Sequence, residues 1–187
     1  MKMSVQSAEM KSIQGRQIAA LLNPRPVVLV TCCDPAGNPN VLTVAWHTPL
    51  SHTPALLGIS IDQQHYSHKL ILESGEFAVN VVGQAFRSAV EVCGNCSGKD
   101  TDKISKAGLV LLPAHCIRPP LLAGALAHLE CIVVDQVNAG DHIFLVGEIL
   151  SAEAQTGCFS DCWSKPEGDV LLCLQRDRFG AWFSCNG

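Results

Sequence analysis

The stretch Asn-Val-Leu-Thr-Val-Ala-Trp-His-Thr-Pro-Leu-Ser, residues 40–51, decides the fold that this chain is expected to adopt. Its side chains alternate with the period of two that is typical of a β-strand. One side carries the apolar residues Leu42, Val44 and Trp46, which we expect to face the core. The other side is small and partly polar, with Val41, Thr43, Ala45 and His47. That second surface favours a flat ligand lying against the strand over either bulk water or a packed interior.

Length and composition indicate one globular domain. The 187 residues suffice for a single core, and no shift in composition marks a second one. Residues 1–187 are therefore predicted to form one domain, with an N-terminal helical cover at 1–22 and a C-terminal extension at 155–187. The net charge is -4 and Lys and Arg do not cluster, so nucleic acid is not expected as a partner. Every apolar run ends before the roughly 20 residues of a membrane span, so no membrane partner is expected either.

The cysteines indicate a reducing compartment. Ten cysteines could form a disulfide framework in a short secreted chain, but residues 1–15 lack the apolar segment of an export signal. We therefore expect reduced thiols in the cytoplasm. Several lie in apolar runs and are predicted to be small buried hydrophobes, namely Cys32, Cys33, Cys131 and Cys173.

Cys93 and Cys96 form a Cys-x-x-Cys pair in a segment rich in Gly, Asn and Ser. Three interpretations are open: half of a zinc site that Cys158 and Cys162 would complete, a redox pair, or chance in a cysteine-rich chain. The favoured interpretation is that they are exposed loop thiols with no dedicated role. No metal site is predicted.

The pattern along the chain predicts many strands and few, short helices. Strands are expected at residues 27–33, 40–48, 55–61, 76–82, 122–137, 142–154, 170–174 and 181–183. Helices are expected at residues 13–22, 66–73, 84–92 and 100–106. Turn residues after 33 and at 138–141 predict two hairpins. This order favours a closed or nearly closed antiparallel barrel with helical inserts over an alternating βαβ sheet.

Two polar segments are candidates for binding. His65-Tyr-Ser-His-Lys69 opens a predicted helix, where free backbone N–H groups favour an anion such as a phosphate. The alternative, held equal in weight, is that Ser67 merely caps the helix and that His65, His68 and Lys69 are solvated. Residues 93–103 contain glycines that permit close backbone approach, with lysines to offset negative charge. That segment could equally be a surface loop followed by a helix that Asp100 or Thr101 caps.

Other chemistries have weaker signals. The dinucleotide Gly-x-Gly-x-x-Gly motif and the P-loop motif are absent, and so is the Gly-x-Ser-x-Gly turn of many hydrolases. A hydrolytic cysteine paired with His47 or His65 is possible in principle, but such pairs cannot be assigned from sequence.

Taken in order, four segments resemble the flavin reductase-like family, and specifically its flavoredoxin branch. They are Asn-Val-Leu-Thr-Val-Ala-Trp at 40–46, His-Tyr-Ser-His-Lys at 65–69, Glu-Ser-Gly-Glu-Phe-Ala-Val-Asn-Val-Val at 73–82 and Ser-Gly-Lys-Asp-Thr-Asp-Lys at 97–103. The resemblance covers residues 23–154. It implies a mainly β fold, a split antiparallel Greek-key β-barrel with short helical inserts that binds FMN, in a homodimer with one non-covalent FMN per protomer.

The resemblance also implies roles for individual residues. The flavin ring or ribityl chain would be bordered by Asn40, Thr43, Val44, Ala45 and Trp46. The phosphate would be held by His65, Ser67 and Lys69, and the site would be completed by Asn80, Ser97, Gly98 and Lys103. No catalytic side chain is expected, because the cofactor carries hydride and electron transfer itself.

The leading hypothesis is an FMN-dependent oxidoreductase that accepts a hydride from NAD(P)H, or electrons from a redox protein, and passes them to an acceptor. One alternative is a non-catalytic barrel protein that binds flavin or haem. Another is a zinc protein organised by Cys93 and Cys96.

Overall fold

The computed structural model describes residues 9–164, 169–175 and 178–181. Its strands are β1 (Arg25–Pro26), β2 (Val28–Cys33), β3 (Pro39–Val44), β4 (His47–His52), β5 (Ala55–Asp62), β6 (Glu76–Val81), β7 (Leu111–Leu112), β8 (Leu121–Leu122), β9 (Ala127–Ala139), β10 (His142–Ala154), β11 (Leu171–Gln175) and β12 (Arg178–Ala181). Its helices are α1 (Gln17–Ala20), α2 (Tyr66–Ser74), α3 (Arg87–Asn95) and α4 (Lys103–Ala107), with a 3-10 turn at Gln84–Phe86.

Seven antiparallel strands form the main sheet, in the order β3-β2-β6-β9-β10-β5-β4. Its two outermost strands, β3 and β4, follow one another in the chain and are separated only by Ala45 and Trp46. A sheet whose first and last strands are joined by two residues must curl until its edges approach each other. The mainly β split-barrel fold is thereby confirmed.

The stretch that was predicted as one strand is two. The chain leaves β2 after Val44, and β4 pairs instead with β5, in the register His47 to Ile59. Leu42 and Val44 are buried as expected, whereas Trp46 lies in the break and is 42% exposed. The alternation of side chains along the sequence cannot reveal such a break, because the same alternation continues in the strands on both sides of it.

The second face of β3 was expected to lie against a ligand, and α3 covers part of it. Val41 is fully buried in a second apolar cluster beneath α3. The hydroxyl of Thr43 donates to the backbone oxygen of Val90 in α3, at 2.7 Å. The helix therefore covers this part of the face, and open space remains along its edge.

The strand β2 is buried on both faces, which explains its continuous apolar run. Val28, Val30 and Cys32 point into the barrel core, whereas Leu29 packs on the other side against the cluster under α3. Both predicted hairpins are present, as β2 with β3 and β9 with β10.

The remaining predictions differ mainly at the ends. The helix expected at 13–22 is reduced to the single turn α1. The helix expected at 100–106 begins at Lys103, and its cap is Asp102 rather than Asp100 or Thr101. At the C-terminus, β11 pairs with β12 and with β1. Of the strand expected at 181–183, residues 182 and 183 lie outside the described residues.

Candidate functional site

Three adjoining cavities follow the edge of β3. The first, of about 260 Å³, lies between β3, the start of α2 and residues 93–98. The second, of about 200 Å³, shares Leu42, Thr43 and His65 with the first and extends along the backbone to Trp46. The third, of about 330 Å³, adjoins the first through Gly98 and Lys103. Together they form one elongated depression that runs from the β3–β4 break to the start of α4.

The start of α2 supplies donors to the first cavity. His65 precedes the helix in an extended conformation, and its side chain makes no capping hydrogen bond. Ser67 is buried and its hydroxyl accepts a hydrogen bond from the Asn40 amide at 2.8 Å. The alternative that Ser67 caps the helix by its side chain is therefore wrong. The first N–H groups of α2 retain the capacity to bind an anion.

Lys103 is the electrostatic centre of the site. It is 4% exposed, although it lines both the first and the third cavity, and it forms no ion pair with a carboxylate among residues 9–164. Burial lowers its pKa, and the nearby thiols of Cys93, Cys32 and Cys96 oppose that shift more weakly. A buried ammonium without a carboxylate partner is costly, and an anionic ligand in the cavity would offset that cost.

Gly98 allows the backbone that lines the first cavity to pack closely against the Asn40 side chain. A Cβ atom added at Gly98 would lie 2.1 Å from Oδ1 of Asn40, so any larger residue would displace the Asn40 side chain. At Gly94 an added Cβ atom would meet Thr43 at 3.5 Å, which is an ordinary contact. Close backbone approach is therefore required at Gly98 and not at Gly94.

The second cavity is bounded by an aromatic pair. Trp46 stacks on His142, the first residue of β10, and both line the cavity. The Nδ1 atom of His142 lies 2.6 Å from Oδ1 of Asp141, which orients the imidazole. The backbone oxygen of Trp46 accepts a hydrogen bond from the Ser60 N–H at 2.8 Å, so the β3–β4 link is held to β5.

The structure brings together ten of the twelve residues that the sequence proposed. They are Asn40, Thr43, Val44, Ala45, Trp46, His65, Ser67, Ser97, Gly98 and Lys103. Lys69 and Asn80 do not line these three cavities. The Lys69 side chain is 69% exposed beside Glu73. The Asn80 side chain is buried and bonds to Leu29, Thr31, Leu122 and His128.

Sequence reasoning missed several lining residues. His142 and Ser60 come from β10 and β5, which only the curling of the sheet brings beside β3. The turn before His142 was recognised as a hairpin signal, and nothing in the sequence linked it to the site. Cys93 and Cys96 also line the first cavity. Cys93 is buried in α3 rather than exposed in a loop, which corrects the favoured interpretation of that pair.

Neither metal ligation nor a membrane span has support in the described ranges. No group of three or more His, Cys, Asp or Glu side chains there could hold a metal ion, so the zinc alternative lacks a ligand set. The longest helices there, α2 and α3, have nine residues each, too few to cross a bilayer.

A curled antiparallel sheet with three adjoining cavities along β3 defines the class of this protein. The model of the flavin reductase like domain matches residues 21–181, and the chain belongs to that family. An uncharacterized protein of Archaeoglobus fulgidus is 42% identical over 148 residues, which cover 79% of this chain and 81% of that protein. A flavin reductase (NADH) of Kitasatospora aureofaciens is 31% identical over 164 residues, 85% of this chain and 76% of that one.

A solved structure shows the same fold. The flavoredoxin of Desulfovibrio vulgaris (Miyazaki F) superposes with a TM-score of 0.83 over 96% of each chain, at 22% identity. Family membership together with the site supports a flavin-dependent oxidoreductase.

Proposed function

We propose that this protein is an FMN-dependent oxidoreductase that takes a hydride from NAD(P)H, or electrons from a redox protein, and passes them to an acceptor. The observation that carries the proposal is that Lys103 is buried beside cavities that follow the β3 backbone and forms no ion pair with a carboxylate within residues 9–164. A neutral ligand would leave that charge uncompensated, whereas a phosphorylated flavin would compensate it.

The residues present fit such a cofactor. The first N–H groups of α2, with Ser67 and His65, would hold the phosphate, and Asn40 keeps the Ser67 hydroxyl in place. The backbone of Thr43–Trp46 would border the ring system in the second cavity. Bound FMN would supply the hydride and electron transfer. Lys103 would place positive charge where the reduced, anionic form needs it.

The protein itself would orient the bound ligands and exclude water from the cavity. The Trp46–His142 pair closes one end of the second cavity, and Asp141 keeps the imidazole in a defined orientation. The Nδ1–H group of His142 donates to Asp141, so the imidazole is placed to accept a hydrogen bond at Nε2 or to pack against a nicotinamide. The relative described as a flavin reductase (NADH) supports a nicotinamide donor.

We propose a cytoplasmic homodimer. An apolar groove of about 970 Å³ lies between residues 15–22 and the strands β4, β5 and β10. Its rim exposes Ile18, Leu21 and Leu22, and Trp46 lines both the groove and the second cavity. A second copy seated there would bury these side chains and shield the flavin site from water.

The test is the visible absorption spectrum of the purified protein, before and after anaerobic addition of NADH or NADPH. We expect a yellow protein whose extracted flavin is FMN by chromatography and whose colour bleaches with one of the two nucleotides. FAD in the extract would overturn the choice of FMN. Colourless protein that fails to bind added flavin would overturn the proposal. Bound flavin that no nucleotide and no reduced redox protein can bleach would indicate the non-catalytic alternative.

A further inference from the structure

The thiols of Cys93 and Cys96 form an asymmetric pair at the end of α3. Cys93 lies in the last turn of the helix and is 3% exposed. Cys96 follows the helix, is partly exposed, and its N–H donates to the backbone oxygen of Val92 at 3.1 Å. That bond continues the helical pattern, so residues 93 and 96 are three positions apart on one helical turn.

Helix geometry puts their Cα atoms within disulfide range. Three residues along an α-helix span about 4.5 Å of rise and most of a turn, which gives a Cα–Cα separation of about 5 Å. Disulfides join residues whose Cα atoms are roughly 4.4–6.8 Å apart. The two thiols can therefore be joined with little movement of the backbone.

Two lysines of α4 lie beside the pair. The Lys106 Nζ atom donates a hydrogen bond to the Sγ atom of Cys96 at 3.3 Å. Lys103 interacts with both thiols across the first cavity. Burial raises the pKa of the Cys93 thiol to about 11, against an opposing effect of Lys103. One thiol is thus accessible and next to an ammonium, and the other is buried and held as a protonated thiol.

We propose that Cys96 and Cys93 form a thiol–disulfide exchange site for small, negatively charged disulfides, in which Cys96 attacks and Cys93 resolves. Both thiols line the first cavity, and Cys96 is partly exposed, so the substrate would approach Cys96 from solvent at the rim of that cavity. The ammonium groups of Lys103 and Lys106 favour a substrate that carries carboxylates. The proposal does not depend on flavin binding.

The step balances in atoms and electrons. The Cys96 thiolate attacks one sulfur of R–S–S–R, forms a mixed disulfide and releases one thiolate RS⁻. Cys93 loses its proton, attacks the Cys96 sulfur and releases the second RS⁻. The substrate gains two electrons and becomes two thiols, and the cysteine pair loses two electrons and becomes a disulfide. Excess thiol reverses the exchange and restores the pair.

Trypsin makes the test simple, because cleavage after Arg87 and Lys99 gives a peptide, 88–99, that contains these two cysteines and no others. The reduced protein, as purified, is mixed with oxidised glutathione, quenched with an alkylating reagent, digested and weighed by mass spectrometry. We expect peptide 88–99 to become two hydrogens lighter, at least about tenfold faster than the exposed thiol of Cys116, followed by fragmentation of its longer peptide, gains glutathione.

Variants separate the two roles. In C93S and C93A, glutathione should remain attached to Cys96, whereas in C96S the peptide should stay unmodified. K106Q should slow the first step about three- to tenfold, with K11Q as the matched charge control and C116S behaving as wild type. Because the wild-type result alone reports both steps, the test survives if a Cys93 variant fails to fold.

Three outcomes would overturn the proposal. Persistent glutathione on the wild-type peptide would remove Cys93 as the resolving thiol. Modification of peptide 88–99 no faster than that of Cys116 would remove Cys96 as the attacking thiol. Equal or faster reaction with the cationic disulfide cystamine would remove the selection for negative charge.

Discussion

The indole ring of Trp46 stacks on the imidazole of His142, with ring centroids 4.8 Å apart and planes inclined by 28°. Trp46 belongs to the two-residue link between the outermost strands of the sheet, and His142 opens the strand β10. The contact therefore ties the break in the barrel to the long β9–β10 hairpin. It also forms the wall of the second cavity.

Replacement of His142 by Ala is expected to weaken flavin binding about two- to tenfold, since an aromatic pair contributes roughly 0.5–1.5 kcal/mol. Turnover with NAD(P)H should fall further than binding, because the imidazole faces the cavity where a nicotinamide would lie. Flavin fluorescence titration and steady-state oxidation of the nucleotide measure the two effects. The exposed His115, replaced by Ala, is the control. Equal binding and turnover in H142A and H115A would contradict the assignment.

Lys103 should have opposite effects on stability and on binding. In K103M the apo protein is expected to gain unfolding free energy at neutral pH, because a buried charge without a carboxylate partner is removed. Flavin affinity is expected to fall about ten- to hundredfold, the value of a charge-assisted hydrogen bond. Urea unfolding measures the change in unfolding free energy, and flavin titration measures the change in affinity.

K69M is the matched control for that variant, since the Lys69 side chain is exposed and lies outside the three cavities. Its flavin affinity should change less than about twofold, because exposed charges contribute little. A loss in K69M as large as in K103M would return Lys69 to the phosphate site.

Gly98 tests the packing of the cavity wall. In G98A the new methyl group would overlap the Asn40 amide, which must then leave Ser67. We expect a loss of roughly 1–3 kcal/mol of stability together with weaker flavin binding. G94A adds the same methyl group to the same wall at an ordinary contact distance and should leave both quantities nearly unchanged. Matching losses in the two variants would show that the wall is not tight at Gly98.

The sequence predicted most strands because their causes are local. Turn residues flank β2, β3 and β5, and the two hairpins follow from the turn residues at 34–38 and 138–141. The break at Trp46 was not predictable in this way, because it results from β4 pairing with β5 at the other edge of the sheet. That pairing depends on how the whole sheet curls, and the alternation of apolar and polar residues in the sequence does not reveal it.

The same distinction applies to the site. Ten of the proposed residues line the three cavities because they lie on β3, in the link that follows it, or in short segments that pack beside it. Asn80 instead forms hydrogen bonds inside the protein. Its amide NH2 group donates to the backbone oxygen of Leu29, and its side-chain oxygen accepts from the Leu122 N–H. His142 joins the site only through tertiary pairing. A sequence pattern reports which side chains are polar, whereas burial decides which of them remain available to a ligand.

The groove beside α1 provides a test of the homodimer. Leu22 is exposed at its rim, and replacement by Glu would put a charge where a second copy would bury an apolar side chain. We expect L22E to sediment as a monomer and to release flavin more easily than wild type. L112E, a matched substitution at an exposed leucine outside the groove, should remain dimeric. A wild-type protein that sediments as a monomer would contradict the assembly itself.

Acid sensitivity should depend on His47. Burial lowers the pKa of this imidazole below its usual value of 6.5, against a hydrogen bond to the Pro26 backbone oxygen and with a further lowering by Arg25. The unfolded chain therefore takes up the proton first as the pH falls through 6.5, and the folded protein takes it up only at lower pH. The stability from a neutral, half-buried His47 is fully present above about pH 7.5 and is lost as the pH falls between those two pKa values.

Urea unfolding at pH 8.0 and pH 5.5 should thus show a smaller loss of stability in H47Q than in wild type. H52Q, at the exposed end of β4, is expected to lose as much as wild type. Burial lowers the pKa of His128 in the same direction, so H47Q should retain part of the acid sensitivity. Identical losses in H47Q and wild type would show that His47 carries no share of it, and the acid-sensitive group would then be sought at His128.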